Sequence, residues 1–465
     1  MPRLFALVFL LAAAPAAVPA ALAQPSTAEL LPAAETAFAS GLEAYEAGDY
    51  AAAYVAFQRA ATEYGFHEKT TAAFLMAGKA AYAEGRFARA REAFSQITGA
   101  YPQSRYAPEA TRLLAQASGD DVQIPFDLGI LLPAGNTDEH FGQALFNGIR
   151  IAVDEHNATR PRRPVRMVFR ATRGTGEAAA DIVRDAAAAG AEAVIGPLYS
   201  READDAAAAA DEAGVVLLAP LATGDAVTRG RDGAFQANPS FSARGRAMAR
   251  YAVEGLGYRR VGVVSEVGGF SEDMGSAFAD EASRLGAAVV FQERLAGSAG
   301  WGDLERRVGA STLGRAQAVY LPVTGDNAAD HAADALRSLE ALPSPPRPLG
   351  NTEWEGLGSS RARASRLAAL FTTDFFAAPG TVDAFGSRYR RLSGIGPDRL
   401  SLMGYDLARF LISEIDTEDE TTLAERLRTA DTFQGLAHRF NFDGGQVNSA
   451  LFVLAYRGEN AILVE

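Results

Sequence analysis

The sequence predicts a two-lobed α/β protein, each lobe built on a doubly wound parallel sheet, preceded by an α-helical solenoid. Three observations carry this. From Phe126 onward, short apolar strands alternate with helical patterns. Residues 126–465 are too many for one such lobe and suit two. Residues 34–117 repeat a helix–turn–helix pattern at a constant offset.

The first segment is a processing signal. Arg3 is followed by the apolar run Leu4–Ala14 and then by small residues ending Ala21-Leu22-Ala23. Residues 1–23 read as a signal peptide cleaved after Ala23, which predicts an exported, periplasmic chain. The run is shorter than the about 20 residues a membrane span needs, and no other segment qualifies. With no cysteine in the chain, disulfides, thiol chemistry and a lipid-modified cysteine are all excluded.

The repeat comes next. Ala44-Tyr45, Gly48, Tyr50, Ala53, Phe57 and Tyr64 recur as Ala81-Tyr82, Gly85, Phe87, Ala90, Phe94 and Tyr101, an offset of 37 residues. Each glycine separates two helical patterns, small alanines allow close crossing, and the aromatics fill the core between helices. A helix over Pro108–Ala117 would cap the stack. The pattern resembles tetratricopeptide repeats, with one longer inter-repeat loop, and implies a protein-docking surface.

Residues 118–125 form a linker. Beyond it Phe126–Leu132 reads as a strand stopped by Pro133, followed by a Gly/Asn loop and a helix from Gly142 to Asn157. Further strands are predicted at Val165–Arg170, Ala193–Ile195, Val215–Ala219, Arg260–Ser265, Ala288–Arg294, Ala318–Leu321 and Leu370–Thr373, with helices between them. Arg201–Gly214 is one such helix, linking two strands into a βαβ unit. Loops at the carboxyl ends of such strands are where open α/β sheets bind ligands.

Composition narrows the function. A net charge of −13 and the lack of a basic stripe exclude a nucleic-acid surface. The chain contains no P-loop, H-E-x-x-H or G-x-S-x-G motif, so no catalytic residue is assigned. The five histidines His67, His140, His156, His331 and His438 have no metal-ligand spacing. His140 reads as a solvated histidine in the first cleft-facing loop, and Asp416–Glu420 as a solvated acidic face. Neither a cofactor nor a metal is expected.

Six stretches in order resemble the type I periplasmic binding proteins, the leucine-binding or branched-chain amino-acid receptor family. They are Gly142–Val153, Ala193–Ser200, Val215–Thr223, Gly257–Val264 with Gly269-Phe270, Met403–Asp406, and Phe440–Gly444. The resemblance implies three passages between lobes, near Asn238, Phe376 and Phe440. Lobe 1 would then be about 126–238 and 377–440, and lobe 2 about 239–376 and 441–465. It also implies a cleft in which Ser200, Ala222 and Thr223 hold a carboxylate on the first lobe. Tyr199 narrows that pocket, and Phe141 and Phe270 supply an aromatic on each side. On the second lobe Thr324 or Asp326, and Glu353 beside Trp354, would hold an ammonium group. Helix capping by Ser200 and Thr223, and a plain acidic loop at Glu353, compete with these roles.

The implied function is a solute-binding receptor that captures a small amino-acid-like ligand for an ABC transporter or sensor. The layout of repeats followed by this domain is also similar to the penicillin-binding-protein activators, scaffolds that regulate peptidoglycan synthesis. The repeats would then dock a membrane transporter or a cell-wall synthase.

Overall fold

In the computed structural model, the described residues are 32–118, 125–134, 138–159, 161–172, 176–415 and 421–464. The signal-peptide assignment, the Gly/Asn loop at 135–137, most of the linker (119–124) and the acidic run 416–420 lie outside them. The chain divides into two compact units at residues 122 and 123.

The first unit is five helices: α1 (Pro32–Glu46), α2 (Tyr50–Thr62), α3 (Thr70–Ala83), α4 (Phe87–Ala100) and α5 (Ala107–Ser118). Each packs on the next. The repeat extends to a pair the motif did not include. A Cβ on Gly41 would lie 2.6 Å from the Phe57 ring, and one on Gly78 would lie 2.3 Å from the Phe94 ring. Both pairs keep the same spacing, so each helical hairpin is closed by a phenylalanine seated where only hydrogen fits. Tyr45–Tyr50 and Tyr82–Phe87 likewise meet edge-on, each with centroids 5.2 Å apart.

The second unit holds two sheets. The first contains β1 (Phe126–Pro133), β2 (Val165–Thr172), β3 (Ala193–Ile195), β4 (Val216–Ala219) and β5 (Ala234–Gln236). All its pairings are parallel, in the order β2-β1-β3-β4-β5. The second contains β6 (Arg260–Glu266), β7 (Ala288–Leu295), β8 (Ala318–Tyr320), β9 (Arg347–Gly350) and β10 (Leu370–Thr373), and its order over these strands repeats the first. A hairpin, β11 (Phe433–Gln434) with β12 (Arg439–Phe440), stands apart, and β13 (Phe452–Arg457) and β14 (Asn460–Leu463) extend the second sheet.

Two expectations are corrected here. The second sheet is mixed, because β13 pairs antiparallel with β10, and β14 antiparallel with β13. An antiparallel edge needs only a short return, and Gly458 with φ 63° supplies that turn between β13 and β14. The third passage does not lie near Phe440. Val447 still bridges Gln236 of the first sheet, so the chain crosses between Val447 and Phe452.

Helices flank both sheets: α6 (Glu139–Ala158), α7 (Gly176–Ala188) and α8 (Ser200–Ala213) on the first, α9 (Phe241–Arg250) and α10 (Gly269–Arg284) on the second. In each lobe one crossing is tight enough to require glycine. A Cβ on Gly148 of α6 would sit 2.0 Å from the Ser401 carbonyl oxygen, in the Arg399–Ile415 helix. A Cβ on Gly245 of α9 would sit 2.2 Å from the Met274 carbonyl oxygen of α10. His140 falls in the first turn of α6, whose helix starts three residues before the expected Gly142.

Candidate functional site

The chain leaves the first sheet at the carboxyl end of β5 and returns from the second at the carboxyl end of β10. The carboxyl ends of both sheets therefore face the hinge. In both, the strand order reverses beside the first strand of the lobe, at β1/β3 and at β6/β8. That reversal opens a crevice where α/β sheets take ligands. Phe141, Tyr199 and Ser200 follow β1 and β3, while Phe270 and Thr324 follow β6 and β8. Thr223 follows β4 and Glu353 follows β9, one strand further along each sheet.

Three residues of the first lobe meet directly. Ser200 Oγ accepts hydrogen bonds from the backbone N–H groups of Thr223 and Gly224, both at 3.0 Å. Neither residue is the helix cap that the sequence allowed. Ser200 is the first helical residue of α8, its hydroxyl oxygen accepts from the neighbouring loop, and Thr223 is followed by turns. Two accepted bonds saturate the oxygen, so the Ser200 O–H remains to donate. Ala222 is fully buried, and its carbonyl accepts from Gln236 Nε2 at 3.1 Å. It shapes the site only through its backbone. Phe141 is half-buried on the lobe core with its ring centroid 3.8 Å from that of His140. Tyr199 is exposed, and its phenol pKa is pushed up by desolvation, then by Asp138 and Glu202.

On the second lobe, Thr324 is half-buried and Glu353 exposed, in the 3₁₀ turn Thr352–Gly356. Desolvation raises the Glu353 carboxyl pKa; Arg244 and Arg399 pull it down and Asp374 adds to the rise. The expected aromatic neighbour is elsewhere. Trp354 is fully buried, its ring beneath Gly350, and takes no part in a cleft surface.

Around Glu353 lies a charged cluster absent from the expected set. Buried Arg244 donates to Asp374 Oδ1 at 2.8 Å, Thr352 Oγ1 at 3.0 Å, Asn238 Oδ1 at 2.7 Å and the Pro239 carbonyl at 3.3 Å. Arg399 donates to Asp374 Oδ2 at 3.0 Å and lies 3.5 Å from Glu355 Oε2. Glu355 also accepts from Thr373 Oγ1, and burial raises its pKa before those partners lower it. Burial opposes ionisation of Asp374, but Arg244 and then Arg399 outweigh it and hold that carboxyl far below the usual range. Asp374 and Glu355 thus have cationic partners, and Glu353 has no ion pair or hydrogen bond among the described residues. Partners 130 positions apart leave no sequence motif, so this cluster could not be read from spacing.

The passages themselves are fastened. The Phe376 N–H donates to the Ala437 carbonyl at 2.9 Å. Asn448 Nδ2 donates to the carbonyls of Ala237 (2.9 Å) and Arg439 (2.8 Å), while its Oδ1 accepts from the N–H groups of Asn441 (3.0 Å) and Ala450 (3.1 Å). Buried Asp406 accepts from the N–H groups of Leu436, Ala437 and His438 at 2.6, 2.9 and 3.0 Å, shaping the loop before β12. A cavity of about 770 Å³ also opens at the opposite, amino-terminal strand ends, near Phe126, Val216 and Gly233, and holds none of the candidate residues.

No curated protein matches the chain in a sequence search. Among solved structures, a putative branched-chain amino acid ABC transporter from Rhodospirillum rubrum aligns at 20% identity and TM-score 0.60, covering 73% of this chain and 100% of its own. A branched chain amino acid ABC transporter periplasmic ligand-binding protein from Burkholderia xenovorans aligns at 14% identity and TM-score 0.55, covering 73% and 94%. An ABC transporter substrate-binding protein from Desulfitobacterium hafniense, in complex with Leu, aligns at 22% identity and TM-score 0.51, covering 73% and 100%. These share the two-lobed fold. The family model described as periplasmic binding protein matches residues 125–460, well over half the chain, and the protein belongs to that family.

Proposed function

We propose that this protein is a solute receptor whose cleft closes on a small amino-acid-like zwitterion and delivers it to an ABC transporter. The observation that carries the reading is the Ser200 arrangement. Two backbone N–H groups polarise one hydroxyl whose own hydrogen is unspent, at the crevice of the first lobe. A carboxylate is the natural acceptor for that donor, with the Thr223 hydroxyl beside it. Glu353, lacking a cation of its own, suits the ammonium group from the opposite lobe. Contacts to both lobes are needed, because only stronger binding to the closed form drives closure. Capture takes place in the periplasm after export and removal of residues 1–23, and the helical repeats dock a membrane partner.

Calorimetry with a panel of amino acids tests this. Ser200→Ala removes one charge-assisted hydrogen bond and is expected to weaken binding by about ten- to a hundredfold. Glu353 adds a pH signature. Its raised carboxyl pKa means that affinity should fall on acidification at a higher pH than for an ordinary glutamate near 4.3. Glu353→Gln should flatten that limb. If no amino acid binds while the chain activates a cell-wall synthase, the scaffold reading replaces this one. The repeated Gly41/Phe57 and Gly78/Phe94 hairpins are what favour that alternative.

A further inference from the structure

Phe270 is more than half exposed, at 54%, yet it is not on a loose loop. Its ring stacks on Phe241 with centroids 4.0 Å apart and planes only 13° from parallel. Phe241 is the first residue of α9, directly after the passage at Asn238–Ser240, and is half-buried against the second-lobe core. Ser240 caps that helix by accepting from the Ala243 N–H at 3.2 Å, which fixes where the ring starts. The segment bearing Phe270 is held on both sides. Ser271 Oγ donates to the Pro322 carbonyl and accepts from the Glu266 N–H at 3.0 Å, and the Gly268 N–H donates to Glu272 at 2.6 Å.

One face of the Phe270 ring is thus covered by a fixed partner, and the other is left to water at the hinge end of the lobe. Val267 beside it is 57% exposed. Leaving such apolar surface wet forgoes the stabilisation that burial gives a large side chain. A flat, rigid π-face rewards a flat partner in offset stacking beyond what equal apolar area earns. The first lobe answers with Tyr199, 39% exposed at the carboxyl end of β3.

We propose that the ligand carries a planar aromatic ring that lies on the free face of Phe270, making an aromatic amino acid the substrate class. The inference rests on the receptor reading above. Titrating the full-length protein with L-phenylalanine, L-leucine and L-alanine tests it. L-phenylalanine should bind at least about tenfold more tightly than L-leucine. Phe270→Ala should lose about tenfold or more for phenylalanine and less than about threefold for alanine. Phe270→Leu, which keeps the bulk and guards against a folding defect, should abolish the aromatic preference, and Phe270→Tyr should keep it. Leucine binding as tightly as phenylalanine to the unaltered protein, or equal losses for phenylalanine and alanine in Phe270→Ala, overturns the inference alone. If no amino acid binds at all, the receptor reading falls, and this inference with it.

Discussion

The two lobes of the binding unit share a strand order and a glycine-tight helix crossing, but they treat their polar groups differently. In the first lobe, the loops at the crevice satisfy one another: Ser200 takes the N–H groups of Thr223 and Gly224, and Gln236 takes the Ala222 carbonyl. Buried side-chain atoms with no hydrogen-bond partner among the described residues are mostly in the second lobe: Ser265 Oγ, Tyr320 OH, His331 Nδ1, Asn351 Oδ1, Trp354 Nε1 and Arg361 Nε there, against Thr172 Oγ1 and His438 Nε2 in the first. Each such group costs about 1–3 kcal/mol. Burial also drives the Tyr320 phenol pKa far above its ordinary value. One scaffold thus yields a jaw with few unpaired buried polar groups, and a jaw that carries more of them together with a dense ion cluster close to the hinge.

The largest expected effect breaks the cluster. Arg244→Ala removes one of the two cations that hold the buried Asp374 carboxylate, the other being Arg399, and should cost about 3–5 kcal/mol, read from urea unfolding. The sign with pH follows from the depressed Asp374 pKa. Its stabilisation is complete above the unfolded value near 3.9 and declines as pH falls toward the lower folded value. In Arg244→Ala the acid-unfolding limb should move to higher pH; an unmoved limb would show that Asp374 contributes nothing there.

Next come the crossings. Gly148→Ala and Gly245→Ala each push a methyl group into a backbone carbonyl and should cost about 1–3 kcal/mol or more. Similar losses in the two variants would confirm that the lobes match in packing. A much smaller loss at Gly245 would mean that the second lobe yields where the first does not.

The smallest effects should be opposite in sign. Ser200→Ala leaves two N–H groups without their acceptor and should destabilise by about 1–2 kcal/mol. Tyr320→Phe deletes a hydroxyl that has no partner and should be neutral or stabilising by up to about 1 kcal/mol. Thermal unfolding of both variants decides it, and destabilisation of equal size would erase the contrast between the lobes.

The regular alternation of strands and helices was legible because buried parallel strands are continuous apolar runs; Ala193–Ile195 and Leu370–Thr373 end where the sequence puts them. β5 and β9 escaped because Ala234-Phe235-Gln236 is not a continuous apolar run, and Pro348 inside β9 argues against a strand. At the site, the strand ends point to the loops, and it is the resemblance to the family that picks Ser200 and Thr223 within them; the structure joins those two loops through the Ser200 hydroxyl. Arg244, Asp374 and Arg399 were not legible, since their partners come from different lobes and passages. Trp354 was misjudged because adjacency to Glu353 in sequence says nothing about which way a 3₁₀ turn points its next side chain. In the helical unit the 37-residue offset is plain, but the Gly41–Phe57 and Gly78–Phe94 closures depend on which helix faces meet, which a repeat of residue types does not specify.

The Asn448 amide has one further consequence. A single side chain holds Ala237, Arg439, Asn441 and Ala450 through four hydrogen bonds, and so ties the first passage to the third. Joined strands cannot slide past one another without breaking that set, so they can only bend in concert. The motion left to the lobes is then close to one rotational degree of freedom. On the receptor reading proposed above, a solute entering the cleft would not have to select among many closures, and little orientational entropy would be lost when the jaws meet.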